Sequence, residues 1–143
     1  MDGSSIKFVN LIDTASIKNL HKKRKILRVK QNIKVERDTS FVELKPNSQF
    51  SIDFEIDFPS KLVSQQSCQL QLVNGNYKTD IASARTFGFE KDVDMLRSNG
   101  LALGGSLENA VVVGETKILN SDGLRFKDEF VSCLLYTSDA ADE

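Results

Sequence analysis

The sequence predicts an α+β protein: a two-layer sandwich of a mostly antiparallel sheet with helices on one face, plus a βαβ unit. Apolar and polar residues alternate at every position from 50 to 58, the period of a half-buried strand. Apolar residues in the first 15 positions recur at helical spacing instead. Between 84 and 113 the period changes from strand to helix and back. Strands accompanied by a few helices form two packed layers.

The first element is a helix whose start is marked by Asp2, Ser4 or Ser5, since these side chains cap helix N-termini. Its apolar positions end near Ala15 or Ile17. They are Ile6, Phe8, Val9, Ile12 and Ala15.

A basic run follows, from Lys18 to Lys25. It lacks the length and the interleaved aromatic residues of a nucleic-acid or anionic-lipid patch, and the rest of the chain is slightly acidic. We therefore interpret it as a solvated linker between domains. His21 within it is expected to be exposed and not a metal ligand, because no partner ligands lie nearby.

The next part of the chain predicts strands. Alternation from Leu27 to Val35 indicates a first strand, 41–45 a second, 50–58 a third, and Cys68 to Leu72 a fourth that ends at a turn over 74–76. Cys68 is then most simply a small core residue.

The stretch ARTFGFEKDVDMLRSNGLALGGS, 84–106, reads as a strand, a helix of about three turns and a return. Phe87 and Phe89 share one strand face, with Thr86 on the other, and Asn99-Gly100 is a left-handed helix end. By residue type alone it is an ordinary βαβ unit whose glycines serve turns, and the P-loop pattern is excluded. Further on, short strands are predicted at 110–113 and 117–119, a turn at 120–123 and a helix from 127.

The composition of the chain limits the classes of function that it can have. With 143 residues, 40% of them hydrophobic, the chain can bury one core, and its net charge of −1 gives no general attraction to nucleic acid or membranes. Its two cysteines are too few for a disulfide framework. We find no apolar run of the length of a membrane span or a signal peptide, which favours a cytoplasmic protein.

Several blocks carry a family resemblance. MDGS at the start, IDF at 56–58, ARTFGF followed by Asp92, then GLALGGS, NAVVV and LNSDGLRFKDEFV resemble the zinc-dependent UDP-3-O-acyl-N-acetylglucosamine deacetylases of lipid A biosynthesis. The similarity runs in order from Met1 to about Ser132. It implies two domains of similar topology with the active site between them. Residues 1–24 would be the last helix of the first domain and a linker, and 25–132 the second domain. Within that domain, 84–113 would be the family's βαβ insert.

The resemblance also implies roles for individual residues. Thr86 matches the threonine that faces the zinc and helps to hold the oxyanion, so it is the candidate catalytic residue. Phe87 matches the residue beside the sugar, and Phe58, preceded by Asp57, matches the aromatic that packs on uracil. Five positions match the hydrophobic passage for the fatty acyl chain, although plain core packing is the alternative for each: Val93, Ala102, Gly105, Leu107 and Val112.

Zinc is the cofactor of the full-length family enzyme, and the resemblance places its ligands outside this chain. One His and the catalytic Glu lie upstream of Met1. The others belong to a His-Lys-x-x-Asp motif directly after LRFKDEFVS, where this chain has Cys133. We therefore expect no metal site in this fragment and no activity of the fragment alone. Residues 133–143 resemble a translated sequencing adapter, so we expect them to be a non-native tail, a genuine C-terminal tail being the alternative.

Two hypotheses of function remain. The first is a hydrolase that removes the N-acetyl group from UDP-3-O-acyl-N-acetylglucosamine, here as a fragment. This hydrolase is expected to be a monomer with a small-molecule substrate, no nucleic-acid partner and no transmembrane segment. The second is a complete protein that lacks the metal ligands and acts as a non-catalytic module binding a UDP-sugar or an acyl chain. If the chain is a fragment, an apolar patch is expected to be exposed around Phe87, Phe89 and Leu107.

Overall fold

The computed structural model describes residues 2–18, 20–23, 25–71, 73 and 76–139, the last four by their backbone alone. Helices and short strands are mixed, which confirms the predicted α+β class. In chain order they are α1 (Ile6–Ala15), β1 (Ile33–Arg37), β2 (Ser40–Leu44), β3 (Ser51–Asp57), β4 (Gln65–Gln71), α2 (Asn76–Asp80), β5 (Thr86–Phe89), α3 (Glu90–Ser98), β6 (Ala110–Val113) and α4 (Glu129–Asp139). Within these ranges no helix combines the length and the apolar character needed to cross a bilayer.

In the part of the chain that the structure describes, the strands form three separate two-stranded sheets instead of the single predicted sheet. The pairs β1–β2 and β3–β4 are antiparallel, whereas β5–β6 is parallel and aligns Thr86 with Ala110. The helix α3 connects the two parallel strands, so the predicted βαβ unit is confirmed. Where a strand was predicted at 117–119, the structure has an isolated bridge between Val113 and Ile118.

The predicted first strand is too long. Pairing begins at Ile33, opposite Leu44, and Leu27 is 99% exposed. The partner strand stops there because Pro46 follows closely and has no N–H to donate to a sheet. Leu72 and the turn residues Asn74 and Gly75 lie outside the described part of the chain.

The core forms where α4 packs against β3, β4 and β5. Its buried side chains are Ile56, Val63, Val111, Val113, Phe130 and Val131. Phe87 meets Phe130 edge-on with ring centroids 4.9 Å apart, and Phe89 packs against the same cluster. The predicted exposed patch is therefore wrong for these two phenylalanines, which the strand turns inward, while Leu107 is 51% exposed as expected.

The helix α4 continues without a break past Ser132. Cys133 and Leu135 are buried, and Leu135 joins Leu70 and Ile81 in a second apolar cluster. That residues 133–143 are a non-native tail stays a prediction.

The helix α1 ends at Ala15, as predicted, but its N-cap Ser5 makes no side-chain capping bond. The hydroxyl of Ser5 instead lies 2.8 Å from the Tyr77 hydroxyl and donates to the Ala82 carbonyl at 3.1 Å. These bonds attach the start of α1 to α2 and the residues that follow it.

Gly3 is required by its surroundings. Its φ is +77°, and a Cβ there would lie 1.8 Å from the Asn109 carbonyl oxygen. Only glycine permits both the left-handed backbone and this close approach.

We expect Phe130→Ala to reduce the free energy of unfolding by about 3–5 kcal/mol, because it empties a fully buried site in the core. The matched control is Phe50→Ala, since Phe50 is 56% exposed and its loss should cost less than about 1 kcal/mol. Urea unfolding followed by circular dichroism measures both. Equal losses for the two variants would show that α4 is not packed on the sheets as described.

Candidate functional site

A cleft of about 340 Å³ lies where the segment before α1 meets the start of β5. It is lined by Gly3, Ser4, Ser5, Phe8, Tyr77, Ile81, Ala84, Thr86 and Cys133. Thr86, the predicted catalytic residue, therefore opens into a concavity with both apolar and hydroxyl-bearing walls.

Strand alternation places the Thr86 side chain. Because successive side chains of a strand point to opposite faces, Phe87 turns into the core while Thr86 is exposed toward the cleft. The side chains of Thr86 and of Cys133 on α4 both line this cleft, and the Thr86 hydroxyl lowers the pKa of the Cys133 thiol as a hydrogen-bond donor. The structure thus brings together Thr86 and position 133, which are far apart in the sequence.

A buried ion pair lies directly beside this contact. The guanidinium of Arg85 donates from Nε to Glu129 Oε1 at 2.9 Å and from Nη2 to Oε2 at 3.2 Å. Both side chains are almost completely buried, at 2% and 0% exposure. The same guanidinium also donates to the Gly123 carbonyl at 2.8 Å and to Asp122 Oδ2 at 3.2 Å.

Backbone groups complete the coordination of the Glu129 carboxylate. It accepts the N–H of Arg85 at 3.1 Å and the N–H of Arg125 at 2.7 Å. The side chain of Arg125 donates in turn to the carbonyls of Ser83 and Asp2, at 2.7 and 3.0 Å. The network thereby ties α4 to both β5 and the N-terminal wall of the cleft.

Burial raises the pKa of the Cys133 thiol, and the negative charge of Glu129 raises it further. The hydrogen bond from Thr86 acts in the opposite direction, because it stabilises the thiolate. The hydrogen bond to Glu129 raises the pKa of Arg85, so this guanidinium stays charged although burial disfavours the charge. Position 133 is therefore held as a neutral thiol at neutral pH.

Two of the residues predicted to bind the nucleotide-sugar lie together. Phe58 and Phe87 pack edge-on with ring centroids 5.7 Å apart, and both are half-buried. Asp57 is exposed at the end of β3. The two aromatic positions thus form one wall, and the carboxylate lies at its margin.

The five positions predicted for the acyl passage all belong to the βαβ unit. Val93 on α3 and Val112 on β6 are half-buried, and Val112 lies opposite Gly88 in the sheet register. Ala102, Gly105 and Leu107, in the connection between α3 and β6, are exposed.

A zinc site needs three or four protein ligands close together. Among the residues that the structure describes, no group of three or more His, Cys, Asp or Glu side chains is placed to hold a metal. Cys133 is one sulfur donor beside a hydroxyl, and His21 is exposed in the basic run. The donors present at the cleft do not fit a zinc centre.

Sequence reasoning missed the Arg85–Glu129 pair and the role of Asn120. The Asn120 side chain accepts from the Val112 N–H and donates to the carbonyls of Leu107 and Ala110, all at 2.8 Å. Asn120 thereby bonds backbone groups of β6 that a neighbouring strand would otherwise bond. The sequence did show a charged residue in each of two blocks, Arg85 in ARTFGF and Glu129 in LRFKDEFV. No local pattern indicates that these two residues form a pair.

The chain is similar in sequence to a family of known proteins. The family model described as LpxC, UDP-3-O-acyl N-acetylglycosamine deacetylase, matches residues 1–133. Curated relatives named UDP-3-O-acyl-N-acetylglucosamine deacetylase include those of Sulfurimonas denitrificans, 49% identical over 131 residues, and Campylobacter jejuni subsp. doylei, 50% identical over 131. A third, from Shewanella violacea, is 49% identical over 133 residues. Each match covers 92% of this chain but only 44–45% of the relative, so the chain spans less than half the length of these proteins.

We expect Thr86→Val to raise the pKa of the Cys133 thiol further, because the substitution removes the hydrogen bond that stabilises the thiolate while conserving shape. The pH dependence of iodoacetamide alkylation, in a Cys68→Ala background that leaves one thiol, measures this pKa. Thr116→Val, at an exposed threonine, is the matched control. An unchanged or lower midpoint in Thr86→Val would contradict the Thr86–Cys133 contact.

Proposed function

Since the chain belongs to the UDP-3-O-acyl-N-acetylglucosamine deacetylase family, we propose that it forms part of an enzyme that removes the N-acetyl group from UDP-3-O-acyl-N-acetylglucosamine in lipid A biosynthesis. The observation that carries the proposal is the position of Thr86. Its side chain lines the cleft together with residue 133, the position where the resemblance places the first ligand of the His-Lys-x-x-Asp motif.

Thr86 would act as an oxyanion donor. When water adds to an amide carbonyl, negative charge develops on the oxygen, and a preorganised hydroxyl lowers the barrier by stabilising that charge. The placement of Thr86 supports this role, because its exposed side chain lines the same cleft as position 133. In this proposal the reaction consumes one water and yields acetate and a free amine on the sugar.

The remaining predicted residues would bind the substrate. Phe58 and Phe87 would offer aromatic surface to the uracil and the sugar, with Asp57 at the margin, and their shared wall supports one continuous nucleotide-sugar site. The acyl chain would lie along the βαβ unit, against the positions named above. Burial of an acyl chain there would stabilise binding by about 25 cal/mol for each Å² of apolar surface removed from water.

Zinc is the cofactor we propose for the whole enzyme, held by ligands that are not among the residues the structure describes. Its chemistry would be to polarise the carbonyl and activate water. We further propose that residues 1–24 belong to the first domain and its linker, that 25–132 form the second domain with 84–113 as its insert, and that the enzyme is a cytoplasmic monomer.

A chimaeric enzyme tests the proposal. Residues 2–131 of this chain would replace the aligned segment of the Campylobacter jejuni relative, to which the chain is 50% identical. We expect release of acetate from UDP-3-O-acyl-N-acetylglucosamine. Thr86→Val should lower kcat by about 10²–10³-fold with little change in KM, as for loss of one oxyanion donor.

Thr86→Ser should retain most activity, because it keeps the hydroxyl, and Thr116→Val should retain all of it. A folded, zinc-loaded chimaera without turnover would refute the deacetylase proposal. If the 143-residue chain then bound UDP in calorimetry, the binding-module hypothesis would replace it.

A further inference from the structure

We propose that the Arg85–Glu129 ion pair is a positioning element that sets the Thr86 hydroxyl against residue 133 of α4; that the positioned hydroxyl is catalytic rests on the proposed function. The pair touches neither the cleft nor the predicted substrate positions. Its effect would pass through the backbone that it fixes.

Two successive residues, one directly before β5 and one that begins it, face two successive turns of α4. Arg85 precedes Thr86 directly, and Glu129 precedes Cys133 by four residues, which places both α4 side chains on the same helix face. Arg85 contacts Glu129, while Thr86 and Cys133 line the same cleft. Fixing the Arg85–Glu129 contact therefore also fixes where Thr86 lies relative to Cys133.

The carboxylate fixes the strand backbone as well as the arginine side chain. Glu129 Oε1 accepts both Nε and the main-chain N–H of Arg85, at 2.9 and 3.1 Å. A peptide N–H held in this way leaves the following residue little freedom to shift along the strand. The second oxygen accepts Nη2 at 3.2 Å, so the guanidinium is held by a two-point contact that sets its plane.

A contribution to stability does not by itself explain why a buried ion pair lies at this position. Replacing a buried ion pair with apolar residues of similar volume is often neutral or stabilising, so such a pair is weak evidence of a contribution to stability. Its hydrogen bonds are directional, whereas apolar packing would allow β5 and α4 to slide. A displacement of about 1 Å in a catalytic group can cost about 10²-fold in rate.

The test is a double-mutant cycle that measures the pKa of the Cys133 thiol in the 143-residue chain, with Cys68→Ala as the background. In the parent, Thr86→Val should raise the Cys133 pKa, as described above. In an Arg85→Lys background the hydroxyl is no longer aligned, so Thr86→Val should produce no further shift. Energetic coupling of this kind is what a cycle detects and a single substitution does not.

Arg85→Lys keeps the positive charge, so Glu129 is not left as an unpaired buried anion that would unfold the chain. Glu129→Asp is the second variant, because it keeps the negative charge but shortens the side chain, and it should uncouple the two sites in the same way. Lys34→Met is the control: it breaks the exposed Lys34–Glu36 pair on the β1–β2 hairpin and should leave the Thr86→Val shift intact.

An equal Thr86→Val shift in the parent and in the Arg85→Lys variant would overturn the positioning role, and so would a shift lost equally in Lys34→Met. The chimaera supplies a second readout. There Arg85→Lys should lower kcat about tenfold at unchanged KM, and adding Thr86→Val should lower it no further than Thr86→Val alone. Failure of the chimaera would refute the proposed function, whereas the thiol cycle would still decide the positioning role.

Discussion

The buried pairing of Arg85 with Glu129 is the contact on which the rest of the architecture depends, because it joins β5 to the first turn of α4. Its carboxylate accepts four N–H groups, three from Arg85 and one from the backbone of Arg125. Separating the strand from the helix would leave an unpaired charge in the interior, which costs several kcal/mol. With that junction fixed, α4 is held in place to cover β3 and β4.

The four residues of β5 serve the core and the cleft at once. Phe87 and Phe89 reach inward to Phe58, and Phe87 also contacts Phe130, while Thr86 faces outward to the cleft. A one-residue slip of the strand would exchange these faces, burying the hydroxyl and exposing two aromatic rings. The register of the parallel pair with β6 is thus under constraint from packing and from the site together.

The N-terminal wall of the cleft is held mainly through backbone atoms. Arg125 bridges the carbonyls of Ser83 and Asp2, and the N–H of Ser5 donates to the Ala82 carbonyl at 3.0 Å. Gly3 lies against the Asn109 carbonyl at a distance that excludes any side chain. The face of α1 that carries Phe8, Leu11 and Ile12 stays more than half exposed. The helix is therefore attached at its beginning and, near its end, by the 2.6 Å ion pair between Asp13 and Lys78.

Local patterns in the sequence determined the strands at 41–44 and 51–57, the βαβ unit, the end of α1 at Ala15 and the glycine turn after α3, because periodicity and capping act over a few residues. The resemblance singled out Thr86, but not what surrounds it. Tertiary structure alone decided that the strands of the described residues form three separate pairs, that Asn120 bonds the backbone of β6, and that Arg85 meets Glu129 beside a cleft shared by Thr86 and Cys133. Such contacts join residues dozens of positions apart, and they form only when a helix and a strand bury their faces against each other. The local hydrophobic periodicity of the sequence does not indicate which helix and which strand will pack together.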